Sequence, residues 1–509
     1  MRPNEFKQPS GAGVGVERHR VIVVGTGFSG LCMGVKLREQ GETDFVLLER
    51  AHEVGGTWRD NTYPGCACDV ESHLYSFSFE PNPNWSRMYA PQPEIFAYLR
   101  HVAAKYDLMR HIRFGANLVG ARWDDARQVW VVKAEDGRVF EGQFLVSGMG
   151  GLSNPAIPDI KGLDSFAGTS FHSATWNHHY DLSDKRVAVI GSGASAIQFV
   201  PQIAPKVAKL HYFQRTPPWV VPKMDRPIRP DEQADFAANP YRQRLARIKL
   251  YWLLEARFLG FKYKPEWMSL VAKVGKHKIR QAIKDPAVQA KVTPDYTPGC
   301  KRLLISNDYY PALGRTNVDV ITEGISHVTP RGVVTTDGRE HEVDAIIFGT
   351  GFKVQDPIPP GTVFGRGGVD MADAWKNGPE AYMGMAVAGF PNFFMLMGPN
   401  TGLGHNSMVF MIESQAHYIC SAMQAAKDAG VATLEAKPEA QAGFVDQVQA
   451  DLKRTVWQSG CKSWYLNEQG RNTTLWPGFT FVYRLKTRRF KLGQYITERA
   501  KAAITSNHH

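Results

Sequence analysis

The stretch Arg20-Val-Ile-Val-Val-Gly25-Thr-Gly27-Phe-Ser-Gly30 is typical of a buried parallel strand that runs into a glycine turn, and a helical pattern continues to Leu37. In such a turn the first glycine allows the tight bend, the second lets backbone amides approach a pyrophosphate, and the third lets the helix pack close to the strand. Phe45–Leu48 predicts the next buried strand, which ends in Glu49, 24 residues after Gly25, where an acid accepts the ribose hydroxyls of a dinucleotide. The alternative is a chance glycine turn with Glu49 as a solvated strand end. The predicted contacts of this first dinucleotide are Gly25, Gly27, Phe28, Ser29, Gly30 and Glu49.

A second copy of the pattern follows at Arg186–Ile190, with the turn Gly191-Ser-Gly193-Ala-Ser-Ala196 and another helix. The next strand, Lys209–Phe213, ends in Gln214-Arg215-Thr216 rather than in an acid. An acid there would repel a 2′-phosphate, whereas an arginine can donate two hydrogen bonds to it and a threonine hydroxyl can donate one. The second ligand is therefore predicted to be NADPH rather than NADH, unless Arg215 is an ordinary surface arginine. The predicted contacts are Gly191, Ser192, Gly193, Ala194, Ser195, Ala196, Gln198, Arg215 and Thr216.

Length and composition set broad limits on the fold and on the partners. At 509 residues the chain is longer than the roughly 100–200 residues of one domain. Hydrophobic residues make up 43% and charged residues 21%, an ordinary globular balance. The net charge is +11, but the basic residues are scattered, and the one cluster is Lys486-Thr-Arg-Arg-Phe-Lys491. A nucleic-acid partner is therefore not expected, because a polyanionic cofactor accounts for basic side chains equally well.

Cysteine content and hydropathy bear on metals, disulfides and localisation. The six cysteines are too few for a disulfide scaffold, and no CxxC motif or zinc quartet is present, so no metal site is expected. Residues 1–20 are polar, with Glu5, Pro9 and Glu17 where a signal peptide would need an apolar run. The apolar region 381–412 is interrupted by prolines and asparagines, so it predicts no transmembrane helix. A reducing, cytoplasmic location is expected.

Further along, the strand–helix rhythm stops and later returns. Residues 221–299 have helical spacing, and strands are predicted near 318–320, at Ala345–Phe348 and at Phe393–Met397, with a long helix from about 407 to 426. The predicted fold class is α/β, with two interleaved Rossmann-like dinucleotide-binding domains and a helical insertion. The predicted boundaries are 1–150 and 350–509 for the two parts of the first dinucleotide-binding domain, 151–220 and 300–349 for the two parts of the NADP-binding domain, and 221–299 for the insertion.

Two longer motifs carry a resemblance to a known family. One is Phe166-Ala-Gly168-Thr-Ser-Phe-His172-Ser-Ala-Thr-Trp176, and the second runs from Gly55-Gly-Thr-Trp58 through Tyr63-Pro-Gly65 to Asp69. From about residue 18 to about residue 490 the chain resembles the flavin monooxygenases of the Baeyer–Villiger type. Asn177 stands where that family usually has Pro or Asp, which keeps the related N- and S-oxidising flavin monooxygenases open as a second reading.

The resemblance implies an NADPH- and O₂-dependent enzyme with bound FAD, which converts a ketone to an ester or lactone through a flavin peroxyanion. It implies that Arg302 stabilises anionic oxygen and that Asp69 orients Arg302, with neither residue transferring a proton. An organising role is implied for His172. S- or N-oxygenation and a non-oxygenating NADPH–FAD redox or binding protein remain open as functions, and Trp58 could equally be a core aromatic. The further residues that the resemblance implies are Gly56, Thr57, Trp58, Asp69, Tyr75 and Met408 for FAD, and Lys301 and Trp464 for NADP.

Overall fold

Short runs of β-branched and aromatic residues form two main sheets, of eight and five strands, and three small sheets in the computed structural model, which describes residues 15–354 and 358–501. Residues 1–14, with Glu5 and Pro9 of the polar leader segment, lie outside the described residues. The strands are β1 (Val16–Val24), β2 (Phe45–Leu48), β3 (Ile112–Arg113), β4 (Leu118–Asp124), β5 (Val129–Ala134), β6 (Val139–Ser147), β7 (Thr169–His172), β8 (Arg186–Ile190), β9 (Lys209–Phe213), β10 (Val220–Val221), β11 (Leu304–Ile305), β12 (Val318–Ile321), β13 (Ile325–Val328), β14 (Gly332–Thr335), β15 (Glu340–Glu342), β16 (Ala345–Phe348), β17 (Val363–Phe364), β18 (Phe393–Met395), β19 (Thr433–Ala436) and β20 (Tyr495–Glu498).

The helices cover these sheets and build the region between them. They are α1 (Phe28–Glu39), α2 (Thr57–Asp60), α3 (Gln92–Lys105), α4 (Ala196–Ile203), α5 (Pro230–Ala238), α6 (Pro240–Lys262), α7 (Met268–Ala282), α8 (Pro286–Val292), α9 (Tyr309–Leu313), α10 (Met371–Ala374), α11 (Met408–Ala429), α12 (Pro438–Leu452) and α13 (Thr480–Thr487). None of the helices in the described ranges is long and apolar enough to span a bilayer. The same ranges hold no group of three or more His, Cys, Asp or Glu side chains suited to a metal ion.

The larger sheet has the order β17-β4-β5-β6-β1-β2-β3, and β18 also pairs with β6. β1 lies parallel to β2 and β6, and its last four residues are buried because α1 and the rest of the chain cover both faces. Continuous apolar strands of this kind need burial on both sides. β4, β5 and β6 are antiparallel neighbours, a part of the sheet that the strand–helix pattern does not predict.

The smaller sheet, β12-β9-β8-β16-β7, is parallel throughout. Its strands come from both sides of the helical segment α5–α8, and after β16 the chain returns to the larger sheet with β17 and β18. The predicted fold class, two interleaved Rossmann-like α/β units with a helical insertion, is confirmed. The predicted domain boundaries remain a prediction.

The insertion packs on the later part of the chain through aromatic side chains. Phe258 and Phe261 of α6 contact Trp457, with ring centroids 6.1 and 5.4 Å apart. Glu255 of α6 is 1% exposed and accepts hydrogen bonds from the Thr480 backbone and hydroxyl and from Asn406. A buried carboxylate is tolerated only when it is hydrogen-bonded in this way, so these contacts fix α6 against the loop before α11.

One disulfide is present, which the cysteine spacing does not predict. Cys300 and Cys461 are bonded and close a loop with a sequence separation of 161 residues, whereas the four remaining cysteines are free and buried. The bond joins the segment before Arg302 to the segment before Trp464. No local spacing could have indicated this pairing, because the two cysteines meet only through the fold.

Candidate functional site

At the first glycine turn, two of the three glycines are required by the chain itself. Gly25 has a φ of +96°, and a Cβ there would lie 2.8 Å from the Gly148 carbonyl oxygen. A Cβ on Gly30 would lie 1.8 Å from the Gly25 oxygen. Gly27 is different, since a Cβ there would meet no atom closer than 3.7 Å. Packing within the chain therefore does not require a glycine at position 27, and the open space beside it suits the close approach of a ligand.

The N-terminus of α1, next to Gly27, suits an anion. No side chain caps its backbone N–H groups, and its first turn contains no acid, whereas α8, α10 and α11 are capped by Asp285, Asp370 and Ser407. Free amides at a helix N-terminus, reached across a glycine, fit a pyrophosphate. Glu49 lies beside the turn at the end of β2, is 3% exposed, and accepts from the Thr26 backbone N at 3.1 Å and hydroxyl at 2.6 Å. These residues fit FAD, and their individual contacts stay predictions.

In the second glycine turn, too, one glycine is required by packing within the chain and another is not. Gly191 has a φ of +112°, and a Cβ there would lie 2.4 Å from the Gly349 oxygen, whereas a Cβ on Gly193 would meet nothing closer than 3.9 Å. The N-terminus of α4 has neither a side-chain cap nor an acid in its first turn. The Ser192 hydroxyl donates to the Thr216 carbonyl at 2.9 Å, which joins the turn to the segment after β9. A second dinucleotide fits here on the same physical grounds.

Two cations lie close together near this second turn. Arg215 is exposed, and Lys301 is half-buried with its Nζ 4.8 Å from the centre of the Tyr296 ring. Burial and the positive charge of Arg215 lower the pKa of Lys301. Like charges brought together disfavour each other unless an anion lies between them, so this pair fits a 2′-phosphate. The structure thus brings together two of the three residues predicted to read that phosphate, and Thr216 adjoins Arg215.

The segment Gly55–Asp69 contacts α4 as well as the first turn. Gly65 has a φ of +79°, and a Cβ there would lie 2.7 Å from the Gln198 carbonyl oxygen. The Tyr63 hydroxyl donates to Gln198 Oε1 at 2.9 Å, and Gln198 Nε2 donates to the Ala67 carbonyl at 2.9 Å. The motif glycine is therefore needed where the two units meet. The predicted NADP contact of Gln198 stays a prediction, and its side-chain amide bonds this segment.

Three further predicted residues lie around the two units. Trp58 is 9% exposed within the larger hydrophobic core, and its indole N–H donates to the Tyr75 hydroxyl at 3.1 Å. Met408 is the first residue of α11, as predicted, and is partly buried. His172 ends β7, is 2% exposed, and accepts from the Ala174 N–H, and its ring contacts Phe352. The organising role of His172 stays a prediction.

Arg302 and Asp69 form an ion pair. Arg302 Nη2 lies 2.6 Å and Nε 3.1 Å from the same oxygen of Asp69, and the two side chains are 34% and 31% exposed. Asp69 raises the pKa of Arg302 further above its ordinary value. Burial raises the pKa of Asp69, but the charge and hydrogen bonds of Arg302 outweigh it and hold that pKa below its usual value. Both groups stay charged around neutral pH, so the pair can orient and stabilise an anion but cannot shuttle protons.

Sequence reasoning missed Tyr465, a buried tyrosine whose pKa the charges of this ion pair influence. Its side chain is 1% exposed, and its hydroxyl has no hydrogen-bond partner among the described residues. Burial raises its pKa to about 12, while the charge of Arg302 lowers that pKa and the charge of Asp69 raises it. The signal available was a phenol directly after Trp464, a weak one among 18 tyrosines. Trp464 itself is 44% exposed and lies against the Tyr465 ring.

The comparisons with known proteins agree with this geometry. The sequence profile of the flavin-binding monooxygenase-like family matches residues 18–362. A Baeyer–Villiger monooxygenase of Pseudomonas aeruginosa is 54% identical over 493 residues, covering 96% of this chain and 94% of that protein. A Baeyer–Villiger monooxygenase of Streptomyces coelicolor is 50% identical, covering 94% and 92%.

Solved structures extend the agreement over almost the whole chain. Cyclohexanone monooxygenase from Rhodococcus sp. Phi1 bound to NADP⁺ superposes with a TM-score of 0.85 at 29% identity, covering 96% of this chain and 100% of that one. An oxidised steroid monooxygenase bound to NADP gives a TM-score of 0.83 at 32% identity, covering 95% and 100%. The chain therefore belongs to the flavin-binding monooxygenase-like family and, within it, to the Baeyer–Villiger monooxygenases.

Proposed function

We propose that this protein is an FAD-dependent monooxygenase that uses NADPH and O₂ to insert one oxygen atom beside the carbonyl of a ketone. The balanced reaction takes ketone, O₂, NADPH and a proton to an ester or lactone, NADP⁺ and water. The observation that carries the proposal is the fixed Arg302–Asp69 ion pair, on a chain in which two glycine turns lead into helices whose N-termini have no side-chain cap. FAD, when bound and reduced, would supply the activation of O₂.

The residues of this chain would then divide the work. Gly27 with the N-terminus of α1, and Gly193 with the N-terminus of α4, would hold the two pyrophosphates. Arg215, Thr216 and Lys301 would select the 2′-phosphate. Arg302 would stabilise negative charge on oxygen with a guanidinium that keeps its proton, while Asp69 holds its plane. Because NADPH is consumed, the cytoplasm is the compartment we propose for the reaction.

Two further functions would use the same cofactors. Oxygenation of a soft sulfur or nitrogen would need no stabilised anion, so the charged Arg302 makes it the second candidate. A non-oxygenating NADPH–FAD protein is the third. Holoenzyme assayed with linear, cyclic, aromatic and steroidal ketones and a thioether separates them. An ester coupled to NADPH consumption supports the proposal, a sulfoxide alone supports the second candidate, and NADPH oxidation without any oxygenated product supports the third.

Arg215→Ala is expected to raise the Michaelis constant for NADPH ten-fold or more while the constant for NADH stays nearly unchanged. The loss of one charged phosphate contact costs about 1.5–3 kcal/mol of binding, and NADH lacks that phosphate. Steady-state NADPH and NADH oxidation by the same preparations measures both constants. An equal loss with both cofactors would show that Arg215 does not contact the phosphate.

Tyr465→Phe is expected to leave the thermal stability of the protein unchanged and to lower the yield of ester per NADPH about ten-fold. A buried hydroxyl without a protein partner adds nothing to folding, but a hydrogen bond made only during turnover is worth about 1–1.5 kcal/mol. Tyr418→Phe is the matched control, because that buried hydroxyl pairs with Tyr495 at 3.1 Å. A loss of stability in Tyr465→Phe with full ester yield would make the hydroxyl a structural group.

A further inference from the structure

An apolar stripe is exposed along one face of α6, opposite the side that packs on the protein. Its members recur at i, i+4, i+7 and i+11, which places them on one helix face. They are Tyr241 (70% exposed), Leu245 (46%), Ile248 (44%) and Trp252 (53%). Single exposed apolar residues need no explanation, but an ordered row of four large ones on one helix marks a contact surface.

The stripe continues onto α13, the helix that carries the start of the basic cluster Lys486–Lys491. Trp252 contacts Phe481 of α13, with ring centroids 5.7 Å apart. One turn further along α13, Leu485 is 63% exposed. We call the surface formed by Tyr241, Leu245, Ile248, Trp252, Phe481 and Leu485 the α6–α13 face.

The charges along the α6–α13 face that have no ion-pair partner are basic, and the Asp235 carboxylate of α5, near the start of α6, is paired with Arg242 at 2.7 Å. Six exposed basic side chains belong to α6 and to residues 484–489, and none of them has a carboxylate within 4.0 Å among the residues the structure describes; they are Arg244, Lys249, Arg484, Lys486, Arg488 and Arg489. The one acid in α6, Glu255, is buried and bonded to Thr480 and Asn406. Residues 480–491 contain no acid. The face therefore combines apolar contact with an uncompensated positive field.

We propose that the α6–α13 face docks the enzyme on an anionic lipid surface. A basic amphipathic helix with aromatic residues at its apolar edge lies in the headgroup region, and long Lys and Arg side chains reach outward to the phosphates. Tyr241 and Trp252 stand at the two ends of the stripe, with aliphatic residues between them, which suits the amphipathic boundary of a bilayer. A second copy of this chain does not fit, since self-pairing would bring the six unpaired cations against each other.

Flotation of the FAD-loaded protein with lipid vesicles tests the proposal without any measure of activity. Vesicles of phosphatidylcholine with about 30% phosphatidylglycerol are expected to carry the protein to the top of the gradient, and pure phosphatidylcholine vesicles are not. Because each basic residue near the surface contributes about a five-fold gain in binding, Lys486→Glu with Arg489→Glu should lower the bound fraction at least ten-fold. Leu245→Glu with Ile248→Glu should do the same.

Matched controls separate the face from general effects of charge. Val119→Glu, at an exposed apolar residue of β4, and Lys185→Glu, at an exposed lysine before β8, should float like the unmodified protein. Absence of flotation with the anionic vesicles would overturn the proposal, as would equal flotation of the face variants and the controls. Binding to poly-L-glutamate without binding to vesicles would overturn it and assign the face to an acidic protein. A dimer in light scattering that Leu245→Glu with Ile248→Glu dissociates would overturn it and assign the face to a second copy.

Discussion

Arg302→Ala is expected to lower the rate of ester formation by about 10²–10³-fold, while the protein keeps FAD and is still reduced by NADPH. The guanidinium lies 2.6 Å from Asp69 and has a pKa above its ordinary value, so it is a permanent, oriented cation. A donor that is already in place stabilises developing negative charge without reorganisation, and its removal leaves that charge unbalanced. NADPH oxidation should then continue and end in hydrogen peroxide. Product analysis beside a peroxide assay measures the two outcomes.

Arg302→Lys is the matched control for charge. Lysine keeps the cation but loses the planar fork, so its ester yield should fall between those of the original protein and Arg302→Ala. Asp69→Asn removes the orienting carboxylate and should also lower the yield with FAD retained. Ester formed by Arg302→Ala at nearly the original rate would reduce Arg302 and Asp69 to a structural ion pair.

Gly27→Ala is expected to lose most of the bound flavin, and Gly193→Ala to keep the flavin while its Michaelis constant for NADPH rises ten-fold or more. The protein itself tolerates both changes, since a Cβ would meet no atom closer than 3.7 Å at Gly27 and 3.9 Å at Gly193. A methyl group there fills the space through which backbone amides approach a pyrophosphate. The flavin absorbance of purified protein and NADPH kinetics measure the two effects.

The choice of these glycines matters for the test. Changes at Gly25 or Gly191 would force a side chain against the chain's own backbone, 2.8 and 2.4 Å away, and would report on folding. Gly443→Ala, in α12 with open space around it, is the matched control and should leave both cofactors unaffected. Loss of flavin from Gly193→Ala with an unchanged circular dichroism spectrum would show that the two turns do not serve separate ligands.

The parallel core could be predicted from the sequence because its signals are local. Phe45–Leu48 and Ala345–Phe348 are continuous apolar runs, Arg186–Ile190 and Lys209–Phe213 are apolar apart from Arg186, Lys209 and His211, and the structure has strands with those bounds. A strand buried on both faces needs such a run, and the glycine turn after it has its own spacing. The antiparallel strands β4 and β5 are only partly buried and carry no glycine signature, so they were not predicted.

The parts of the site that the sequence could not indicate depend on contacts between distant segments. Gln198 bonds Tyr63 and Ala67 across the two units, and Cys300 bonds Cys461. The pKa of Tyr465 depends on the charges of Arg302 and Asp69, which are distant from it in the sequence. The Arg302–Asp69 pair spans 233 residues, and it was predicted only through the family resemblance. Pairings of this kind follow from topology, for which a single sequence carries no periodic signal.

The most direct test of the central claim is the fate of isotopically labelled oxygen. FAD-loaded protein is incubated with a cyclic ketone from the substrate panel, NADPH and ¹⁸O₂, and the product is analysed by mass spectrometry beside the NADPH consumed. We expect a lactone that carries one ¹⁸O atom and is formed in a one-to-one ratio with NADPH oxidised. A lactone without the label, or NADPH oxidation that yields no oxygenated product from any ketone in the panel, would contradict it.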